Sequence, residues 1–369
     1  MTFRTANVVI DCQALVNNFN IIKQLAPSTK ILAILKANAY GHGLEIIAQA
    51  LPLADAFAVA RIDEALALRA AGITQPIMLL EGVFSPEDLA ILAVNDLQTT
   101  VHSLEQLDAI CQAQLVRPLK VWLKIDTGMH RLGINPEQFD HFYSVLSQCD
   151  NVQQPLILMS HLACADDIQN EKTTHQIALF EQLTSKLNEE KSLAHSAALY
   201  AWPNSRLDWI RPGLMLYGVS PMLISTDKWG DSDPLAKLTP VMTLQSSLIA
   251  VRAINTGESV GYGSAWTCKS DTTIGVVAIG YGDGYPRHAV NGTPVLINGR
   301  RVPIVGRVSM DMITVDLGYS AQNKVGDSAI LWGKDLPVEE IAQWATTIPY
   351  DLLCSITGRV KIKVINAQL

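Results

Sequence analysis

Long apolar runs are missing from this sequence. No apolar stretch approaches the roughly 20 residues that a membrane-spanning helix needs. Arg4, Asn7 and Asp11 also interrupt the N-terminus before a signal-peptide core can accumulate. We therefore expect neither a membrane span nor export, and the sequence predicts a cytoplasmic protein.

Paired cysteines and clustered metal ligands are missing too. The six cysteines contain no Cys-x-x-Cys pair, and the eight histidines show neither His-x-His nor His-Glu-x-x-His spacing. Scattered cysteines in a reducing compartment are most simply free thiols. The sequence therefore supports neither a disulfide framework nor a metal site.

Positive charge is sparse as well. Lysine and arginine total 28 against 35 acidic residues, which gives a formal net charge of −7. The densest basic stretch, Gly299-Arg300-Arg301 with Arg307, is interrupted by Val, Pro and Ile and is interpreted as a turn with solvated arginines. Because nucleic-acid binding needs clustered positive charge, we expect no nucleic-acid partner.

The size and composition exclude a disordered chain. The 369 residues are 49% hydrophobic, with a mean hydropathy of +0.19. A chain of this length and apolar content can bury a large core. It is too long for one small domain and suits a large domain followed by a second of about 130 residues.

Buried strands alternate with helices through the first two-thirds of the chain. Continuous apolar runs are typical of strands covered on both faces. Such runs lie at Ile31–Leu35, Ala56–Ala60, Ile77–Leu80, Leu97–Val101, Leu119–Ile125, Leu156–Ser160, Leu193–Ala197 and Trp209–Tyr217. Helical segments separate nearly all of them, which predicts an α/β fold, the (β/α)₈ TIM-type barrel. A doubly wound sheet is less favoured because no nucleotide-binding fingerprint follows the first strand.

Capping residues mark several helix boundaries in this region. A helix over Arg61–Ala71 should end at Gly72, and Ser103–Gln106 fits a capping box. Helix starts are predicted at Ser85-Pro86 and Asn135-Pro136, where a cap precedes a first-turn proline.

The composition changes after Gly218. Ser220–Pro234 contains prolines, aspartates and serines, which is typical of a linker. Short β-branched runs separated by Gly, Pro and Asn then indicate a mostly β domain with one helical candidate, Val338–Thr346. These runs lie at Met242–Val251, Ile274–Ile279, Pro294–Ile297, Ile313–Leu317 and Ala329–Trp332. We predict a barrel over residues 11–232 and a β domain over 233–369, with residues 1–10 pairing with the β domain.

Lys36 directly follows the first barrel strand, in the sequence KANAYGHG (Lys36–Gly43). Active sites of such barrels form at the C-terminal ends of the strands. A lysine buried there has a lowered pKa, and its neutral amine can act as a nucleophile or Schiff-base former. A lone lysine would more simply be a snorkelling side chain paired with a carboxylate. The following glycines favour function because they let the backbone approach a ligand closely.

The fifth strand ends in the sequence KIDTGMHRLG (Lys124–Gly133), which contains Lys124, Asp126 and Arg131. Lys124 and Asp126 are two residues apart, so their side chains project to the same face of a strand. They form either a structural ion-pair network or an electrostatic shelf beneath a charged ligand. The spacing alone does not distinguish these alternatives.

The later strands end in weaker signals. His161 follows the sixth strand, where a lone histidine is more often structural, and Ser196 in the seventh could donate to an anion. In the eighth, Arg211 could pair with a ligand or a barrel carboxylate, and Gly213 suits a phosphate-binding backbone. Tyr262, between two glycines, is either an exposed turn residue or a phenol able to act as acid or base.

Taken together and in order, these motifs resemble those of the bacterial alanine racemases. The similarity covers nearly the whole chain. It is carried by KANAYGHG, KIDTGMHRLG, RPGLMLYG (Arg211–Gly218), VGYG (Val260–Gly263), GYGDGYPR (Gly280–Arg287) and GRVSMD (Gly306–Asp311). The resemblance implies an enzyme that uses pyridoxal 5′-phosphate to interconvert L-alanine and D-alanine, either supplying D-alanine for peptidoglycan or catabolising it. It also implies a barrel with a C-terminal β domain and a homodimer with shared active sites.

The resemblance further implies roles for individual residues. Lys36 would carry the cofactor as an internal aldimine and act as one catalytic base, and Tyr262 of the partner subunit would act as the other. His161 would orient that tyrosine beside the cofactor. Arg211 would contact the pyridine nitrogen and Arg131 the phenolic oxygen. The phosphate would be held by Tyr40, Ser196, Gly213, Leu214 and Tyr350.

Other residues match positions around the site in this family. Arg131 and Met310 would contact the substrate, and Asp311 would line the neighbouring subunit's site together with Met310. The entrance would be formed by Asp166, Tyr281, Arg287 and Arg307. Lys124 matches a position that is carbamylated in some members. His195 and His130 depart from residues common in relatives.

Three alternatives remain beside this interpretation. A pyridoxal-phosphate decarboxylase of similar architecture is less favoured because Arg211 stands where several are expected to have a carboxylate. A non-enzymatic cofactor-binding protein would resemble the barrel alone. A racemase of broader specificity is left open by the sequence.

Overall fold

A closed parallel barrel dominates the first part of the computed structural model, which describes residues 5–222 and 233–367. Strand β1 (Asn7–Asp11) and helix α1 (Cys12–Leu25) precede it. The barrel strands are β2 (Lys30–Ile34), β3 (Ala56–Val59), β4 (Ile77–Leu79), β5 (Leu97–Val101), β6 (Leu119–Lys124), β7 (Val152–Met159), β8 (Glu190–His195) and β9 (Trp209–Arg211). Each pairs in parallel with the next, and β9 closes the barrel on β2. The predicted fold class is confirmed.

Helices connect these strands. They are α2 (Lys36–Tyr40, a left-handed turn), α3 (Leu44–Ala50), α4 (Ile62–Ala70), α5 (Asp88–Val94), α6 (Leu104–Gln112), α7 (Phe139–Gln148), α8 (Lys172–Thr184) and α9 (Ser196–Ala201). Gly72 follows α4 at φ +82°, as its C-terminal signal predicts. Ser103 Oγ accepts from Gln106 N (3.4 Å) at the start of α6, as the capping box predicts. However, Gln106 Oε1 accepts from His102 N (2.9 Å) and not from Ser103 N.

Several of the predicted boundaries in the barrel are wrong. The sixth strand begins at Val152 and not at Leu156, and the seventh spans Glu190–His195 and not Leu193–Ala197. The eighth strand ends at Arg211 and not at Tyr217, because Pro212 has no N–H for the strand ladder. The buried apolar residues after it form a turn, in which Leu216 N donates to Gly213 O (2.9 Å) and Tyr217 N to Leu214 O (3.0 Å). The helix predicted to start at Ser85 begins at Asp88. A short apolar run does not by itself separate a strand from another buried segment.

The second part of the chain is mostly β-structure. Its strands are β10 (Met242–Ile254), β11 (Ser259–Val260), β12 (Trp266–Thr267), β13 (Thr272–Val277), β14 (Pro294–Ile297), β15 (Arg300–Pro303), β16 (Ile313–Gly318), β17 (Ser328–Trp332) and β18 (Lys361–Ile365). The main sheet runs β15-β14-β17-β10-β1-β18, and β13 joins β10 to β16. Strand β1 is antiparallel to β10 and parallel to β18, so the N-terminal strand is built into this sheet.

Two predictions for this part are wrong. Arg300 and Arg301 lie in β15 and not in a turn; the hairpin turns at Asn298 and Gly299, both with positive φ. Besides α10 (Val338–Trp344), a second helix forms, α11 (Pro349–Cys354). Most of the predicted linker Ser220–Pro234, and the domain boundary at 232/233, fall on residues 223–232, which lie outside the described residues. The domain boundary therefore stays a prediction.

One continuous cluster of buried apolar side chains extends from the barrel into the sheet, from Leu32 and Trp122 to Val8 and Trp332. Helix α11 packs against α2 at the mouth of the barrel, so the second part of the chain closes over the C-terminal ends of the barrel strands. Within residues 5–222 and 233–367, no helix combines the length and apolar character needed to cross a membrane.

Candidate active site

A cavity of about 510 Å³ opens at the C-terminal ends of the barrel strands. It is lined by residues at or just after the ends of β2, β4, β6, β7, β8 and β9, and by α11. The structure brings together there the predicted cofactor residues Lys36, Tyr40, Arg131, His161, Ser196, Arg211, Gly213 and Tyr350. Leu214 does not line the cavity and is buried next to Gly213.

A left-handed turn presents Lys36 and Tyr40 to this cavity. Residues 37–40 all have φ between 50° and 55°, a conformation that costs an L-residue about 1–2 kcal/mol. Hydrogen bonds hold the turn: Ala39 N donates to Leu35 O (2.7 Å), and Asn38 N donates to Glu64 Oε1 (3.2 Å). The strain therefore lies directly beside the candidate nucleophile, where strained backbone is often functional.

Gly41 ends this turn against the second part of the chain. Its φ is +75°, and a Cβ atom there would lie 2.1 Å from Leu353 O of α11. Only glycine satisfies both conditions. We expected the glycines of this motif to approach a ligand, but Gly41 approaches the protein's own backbone.

Burial lowers the pKa of both lysines in the cavity. Burial is the main cause for Lys36; Arg131 adds to it and Glu81 opposes it. Burial, followed by the charges of Arg211 and Arg131, lowers the pKa of Lys124 to about 8. Both side chains are therefore neutral more readily than an exposed lysine, and the neutral amine is the form that attacks a carbonyl carbon.

Arg211 is a buried cation that pairs with no carboxylate in the part of the chain that the structure describes. Its guanidinium donates to Ser192 Oγ (2.5 Å), Ser160 O (2.5 Å) and Leu193 O (3.1 Å). Burial lowers its pKa to about 10, so it is still charged at neutral pH. The predicted pairing of Arg211 with a barrel carboxylate is therefore wrong, and the charge of Arg211 is available to a ligand.

Asp126 turns away from Lys124 and closes its own loop. Its Oδ1 accepts from Gly128 N (2.9 Å) and His130 N (3.1 Å), and His130 Nδ1 lies 3.3 Å from its Oδ2. No ion pair joins Asp126 to Lys124 among the described residues. Of the two alternatives for this motif, the structure favours the positive shelf beneath an anionic ligand.

Hydroxyl and backbone N–H groups converge beside Gly213. Ser196 Oγ accepts from Gly213 N (2.9 Å) and Met215 N (3.4 Å). A Cβ atom on Gly213 would lie 2.8 Å from Tyr40 Oη, so a side chain there would fill this corner. Burial raises the pKa of Tyr40, and it raises the pKa of Tyr350 to about 12. Both phenols therefore keep their protons at neutral pH and can donate to an anion such as phosphate.

Two histidines whose rings are in tilted contact form another wall. The rings of His161 and His195 lie 4.8 Å apart, and His195 Nε2–H donates to Leu162 O (3.1 Å). Burial lowers the pKa of His195 to about 4 and holds that of His161 well below its ordinary value. Both rings are therefore neutral at physiological pH. His130 lies outside this wall, paired with Asp126 on the surface.

Tyr262 does not enter the cavity of its own chain. It lies in a short 3₁₀ turn and is 70% exposed. The Arg307 guanidinium packs against the neighbouring Gly263. Exposed Tyr281 and Met310 lie on adjoining loops, where Gly282 N donates to Met310 O (2.8 Å).

The other predicted residues around the site are dispersed. Asp311 Oδ1 accepts from Arg359 (2.7 Å). Arg287 is exposed, and Asp166 lies close enough to Tyr350 to contribute to its raised pKa. Within the two described ranges, no three His, Cys, Asp or Glu side chains are grouped to hold a metal ion.

Some residues of the cavity were missed by the sequence analysis. Glu81 directly follows the predicted strand Ile77–Leu80, and a charged residue in that position is the signal that could have revealed it. Cys354 lies in the unpredicted helix α11. Met159, the last residue of β7, is apolar, and nothing in the sequence separates it from the core.

Comparisons with known proteins agree over the whole chain. The family profiles "Alanine racemase, N-terminal domain" and "Alanine racemase, C-terminal domain" match residues 10–221 and 241–364. The chain is 55% identical over 364 residues to an alanine racemase of Vibrio cholerae, covering 99% of each protein. It is 56% identical over 356 residues to one of Aliivibrio salmonicida, covering 96% of this chain and 98% of that protein. The crystal structure of a biosynthetic alanine racemase from Pseudomonas aeruginosa has a TM-score of 0.93 at 40% identity, covering 98% of this chain and 100% of that one.

Proposed function

Because the chain belongs to the alanine racemase family, we propose that it interconverts L-alanine and D-alanine with pyridoxal 5′-phosphate held on Lys36. One observation carries the proposal: Lys36, a half-buried lysine of lowered pKa, lines a cavity that also holds Arg131, Arg211 and an anion-binding corner. An amine and an anion-binding corner in one cavity are what a phosphorylated aldehyde needs.

The cavity residues fit this cofactor. Lys36 Nζ would provide the amine for its aldehyde carbon. The phosphate would be held by Tyr40, Tyr350, Ser196 and the backbone at Gly213 and Leu214. Both phenols are protonated and can donate, and Ser196 Oγ accepts hydrogen bonds from two backbone N–H groups in the same corner. A Cβ atom at Gly213 would fill this cradle.

Two bases on opposite faces would move the proton. When bound, the cofactor withdraws electrons from the amino acid and weakens its Cα–H bond. Racemisation needs a proton removed from one face of Cα and returned to the other. Lys36 Nζ would serve one face, and the phenol of Tyr262 of the partner subunit would serve the other. His161, neutral because it is buried, would orient that phenol.

Arg211 would face the pyridine nitrogen. A guanidinium only donates hydrogen bonds and stays charged at neutral pH, even with its pKa lowered to about 10. It would therefore oppose protonation of that nitrogen and limit electron withdrawal, which restrains side reactions. Arg131 would contact the phenolic oxygen of the cofactor and, together with Met310, the substrate.

A homodimer completes this proposal. Tyr262, Tyr281 and Met310 are 70%, 40% and 53% exposed, and none of them lines the cavity of its own chain. Pairing of two copies would cover these side chains and supply Tyr262 to the opposite cavity. Asp166, Arg287 and Arg307, together with Tyr281, would form the entrance.

Lys124 would be carbamylated. With a pKa of about 8, part of its amine is neutral near physiological pH. The neutral amine adds to carbon dioxide, forming an N–C bond and releasing a proton. The anionic product would be favoured by Arg211 and Arg131, whose charges help to lower the pKa of the free lysine.

We also propose that the protein works in the cytoplasm. Its role would be either to supply D-alanine for peptidoglycan or to catabolise alanine. The description of the Pseudomonas aeruginosa structure as biosynthetic favours supply.

Circular dichroism of alanine tests the activity directly. We expect the signal of L-alanine to decay to zero in the presence of the cofactor-loaded protein, and the signal of D-alanine to decay to the same value. Enantiomers have equal free energies, so a racemase drives both signals to zero while the total concentration of alanine stays constant. A signal that stays constant while the cofactor remains bound would contradict the proposal.

A further inference from the structure

His42 lies fully buried behind the left-handed turn and has no role in the proposed reaction. Its Nδ1 is 3.0 Å from Ala39 O and 2.8 Å from Tyr40 O. Both carbonyl oxygens can only accept, so Nδ1 must carry the hydrogen and Nε2 must be bare. Nε2 has no hydrogen-bond partner among the described residues. Burial lowers the pKa of His42 to about 4, which keeps the ring neutral.

A series of tilted ring contacts connects this ring to the cavity. His42 packs on Tyr217 with ring centroids 4.5 Å apart, and Tyr217 packs on Tyr40 at 4.9 Å. Tyr217 is fixed in turn, because its Oη donates to Ile34 O (2.8 Å) in β2. Tyr40 in turn contacts the tilted ring of Tyr350, with centroids 5.5 Å apart, at the corner beside Gly213.

The carbonyl groups that His42 binds belong to the strained residues. Ala39 and Tyr40 have φ of 53° and 50°, where L-residues are disfavoured. A strained turn persists only if its surroundings hold it. His42 Nδ1–H bridges both carbonyls from inside the protein, and Glu64 holds the same turn from the opposite end through Asn38 N (3.2 Å).

We propose that His42 is a positioning residue. Its Nδ1–H fixes the left-handed turn, so that the positions of Lys36 Nζ and Tyr40 Oη relative to Gly213 are held constant. This inference rests on the proposed function, in which Lys36 and Tyr40 hold the two ends of the cofactor. It assigns His42 no contact with cofactor or substrate.

Two substitutions separate positioning from simple filling of the core. His42→Phe keeps an aromatic ring against Tyr217 but removes the donor. His42→Asn shortens the side chain but keeps an N–H group near the position of Nδ1. If the hydrogen bonds matter, Asn retains cofactor binding better than Phe; if only volume matters, the order reverses.

The cofactor dissociation constant is measured by titrating pyridoxal 5′-phosphate into the apoprotein. We expect His42→Phe to weaken binding about tenfold, the effect of leaving a buried acceptor unsatisfied. His42→Asn should stay within about threefold of the parent protein, since it restores a hydrogen bond. Visible circular dichroism of the bound cofactor should change with Phe and be largely restored with Asn.

The control is His141→Phe on the exposed surface of α7, which should leave binding unchanged. Parent-like binding by His42→Phe with weakened binding by His42→Asn would overturn the inference. If the parent protein binds the cofactor but does not racemise alanine, the proposed function fails, while the order of the two variants still tests His42.

A measurement on the unchanged protein covers the case in which His42→Phe does not fold. Nitrogen-15 NMR of labelled histidine distinguishes the two neutral tautomers, and the His42→Asn spectrum assigns the signal. We expect the Nδ1–H tautomer from pH 6 to pH 9, with no titration, because the pKa is about 4. The Nε2–H tautomer would overturn the inference.

Discussion

Position along a strand decides what a barrel lysine does. Lys36 follows the C-terminal end of β2 and is held in a strained turn at the cavity. Lys120 lies near the N-terminal end of β6, where its Nζ donates to Pro155 O. In such barrels, residues at the C-terminal ends of the strands take part in catalysis, and residues at the N-terminal ends contribute to stability.

Replacement of Lys36 by alanine should abolish activity and the absorbance of the bound cofactor together. The amine that holds the aldehyde is lost, so borohydride should no longer fix cofactor to the chain. Lys120→Ala is the matched control, and it should keep both absorbance and racemisation. If borohydride still attached the cofactor covalently to the Lys36→Ala chain, the cofactor would have to be bound to another lysine.

Lys124 makes the stability of the apoprotein depend on pH. Its pKa is about 8 when folded and 10.5 as the ordinary value, so between these pH values the unfolded chain binds more protons and stability rises with pH. Below pH 8 Lys124 is charged in both the folded and the unfolded chain, so burial of its ammonium lowers the free energy of unfolding by the full amount. Lys124→Met should therefore raise the free energy of unfolding at pH 7 by up to about 3 kcal/mol.

The stabilisation by Lys124→Met should shrink as the pH rises from 8 to 10.5. Urea unfolding at several pH values, in carbonate-free buffer and without cofactor, measures it. A stabilisation that is the same at pH 7 and pH 10.5 would show that better packing, and not removal of a buried charge, is its cause.

The sequence predicted the charged residues of the site better than their partners. Lys36 and Lys124 stand at the ends of predicted apolar strands, and that contrast is visible in the sequence, whereas Arg211 stands inside the predicted strand Trp209–Tyr217. The loop-closing role of Asp126 depends on backbone N–H groups up to four residues ahead, at Gly128 and His130. Loop conformation of that kind is not encoded in strand periodicity.

At the scale of elements, the contact between α2 and α11 connects the candidate nucleophile to the second part of the chain. Gly41→Ala should weaken cofactor binding and destabilise the fold, because its Cβ would meet Leu353 O at 2.1 Å. Gly72→Ala is the matched control: its φ is +82°, close to the +75° of Gly41, but no atom lies within 4 Å of its Cβ position.

Gly72→Ala should cost only the strain of a left-handed residue, about 1–2 kcal/mol, and leave the cofactor dissociation constant unchanged. Gly41→Ala should lose clearly more stability and bind the cofactor at least about tenfold more weakly. Equal losses in urea unfolding, with equal cofactor binding, would show that α11 does not hold the turn.

The hydrophobic pattern predicted the barrel strands well where apolar residues run without interruption. Strands β2 to β6 match the predicted apolar runs to within one residue at each end, whereas the first residues of β7 and β8, most of them polar, were left out of the predicted runs. Helix α11 was missed because it has six residues and begins at Pro349, so its signal is shorter than two helical turns. The end of β9 was predicted too late because the residues after it are also buried and apolar, although they form a turn.

At the scale of the whole molecule, mixing two inactive variants tests whether the active site is shared. Lys36→Ala and Tyr262→Phe should each racemise alanine poorly, since each removes one proposed base. A mixed dimer has one intact site, formed by Lys36 of one chain and Tyr262 of the other. Equal mixing with free exchange should restore about one quarter of the parent activity.

The recovery should require subunit exchange, so it should appear only after dilution and reassociation of the two variants. Sedimentation at the same concentrations reports the oligomeric state. If mixing restores no activity while mixed dimers are present, both bases must come from one chain, and Tyr262 would have to reach its own cavity.

The place of β1 in the sheet determines when the fold can be completed during synthesis. Asn7 Oδ1 accepts from Gln245, 238 residues later in the chain, and Asp11 Oδ1 accepts from Asn366, 355 residues later. At a translation rate of about 5–20 residues per second, β1 waits roughly 10–50 seconds for its first partner strand and longer for β18. The barrel strands emerge within that interval. A ribosome-bound chain can thus close its barrel while its own first strand is still unpaired and open to chaperones.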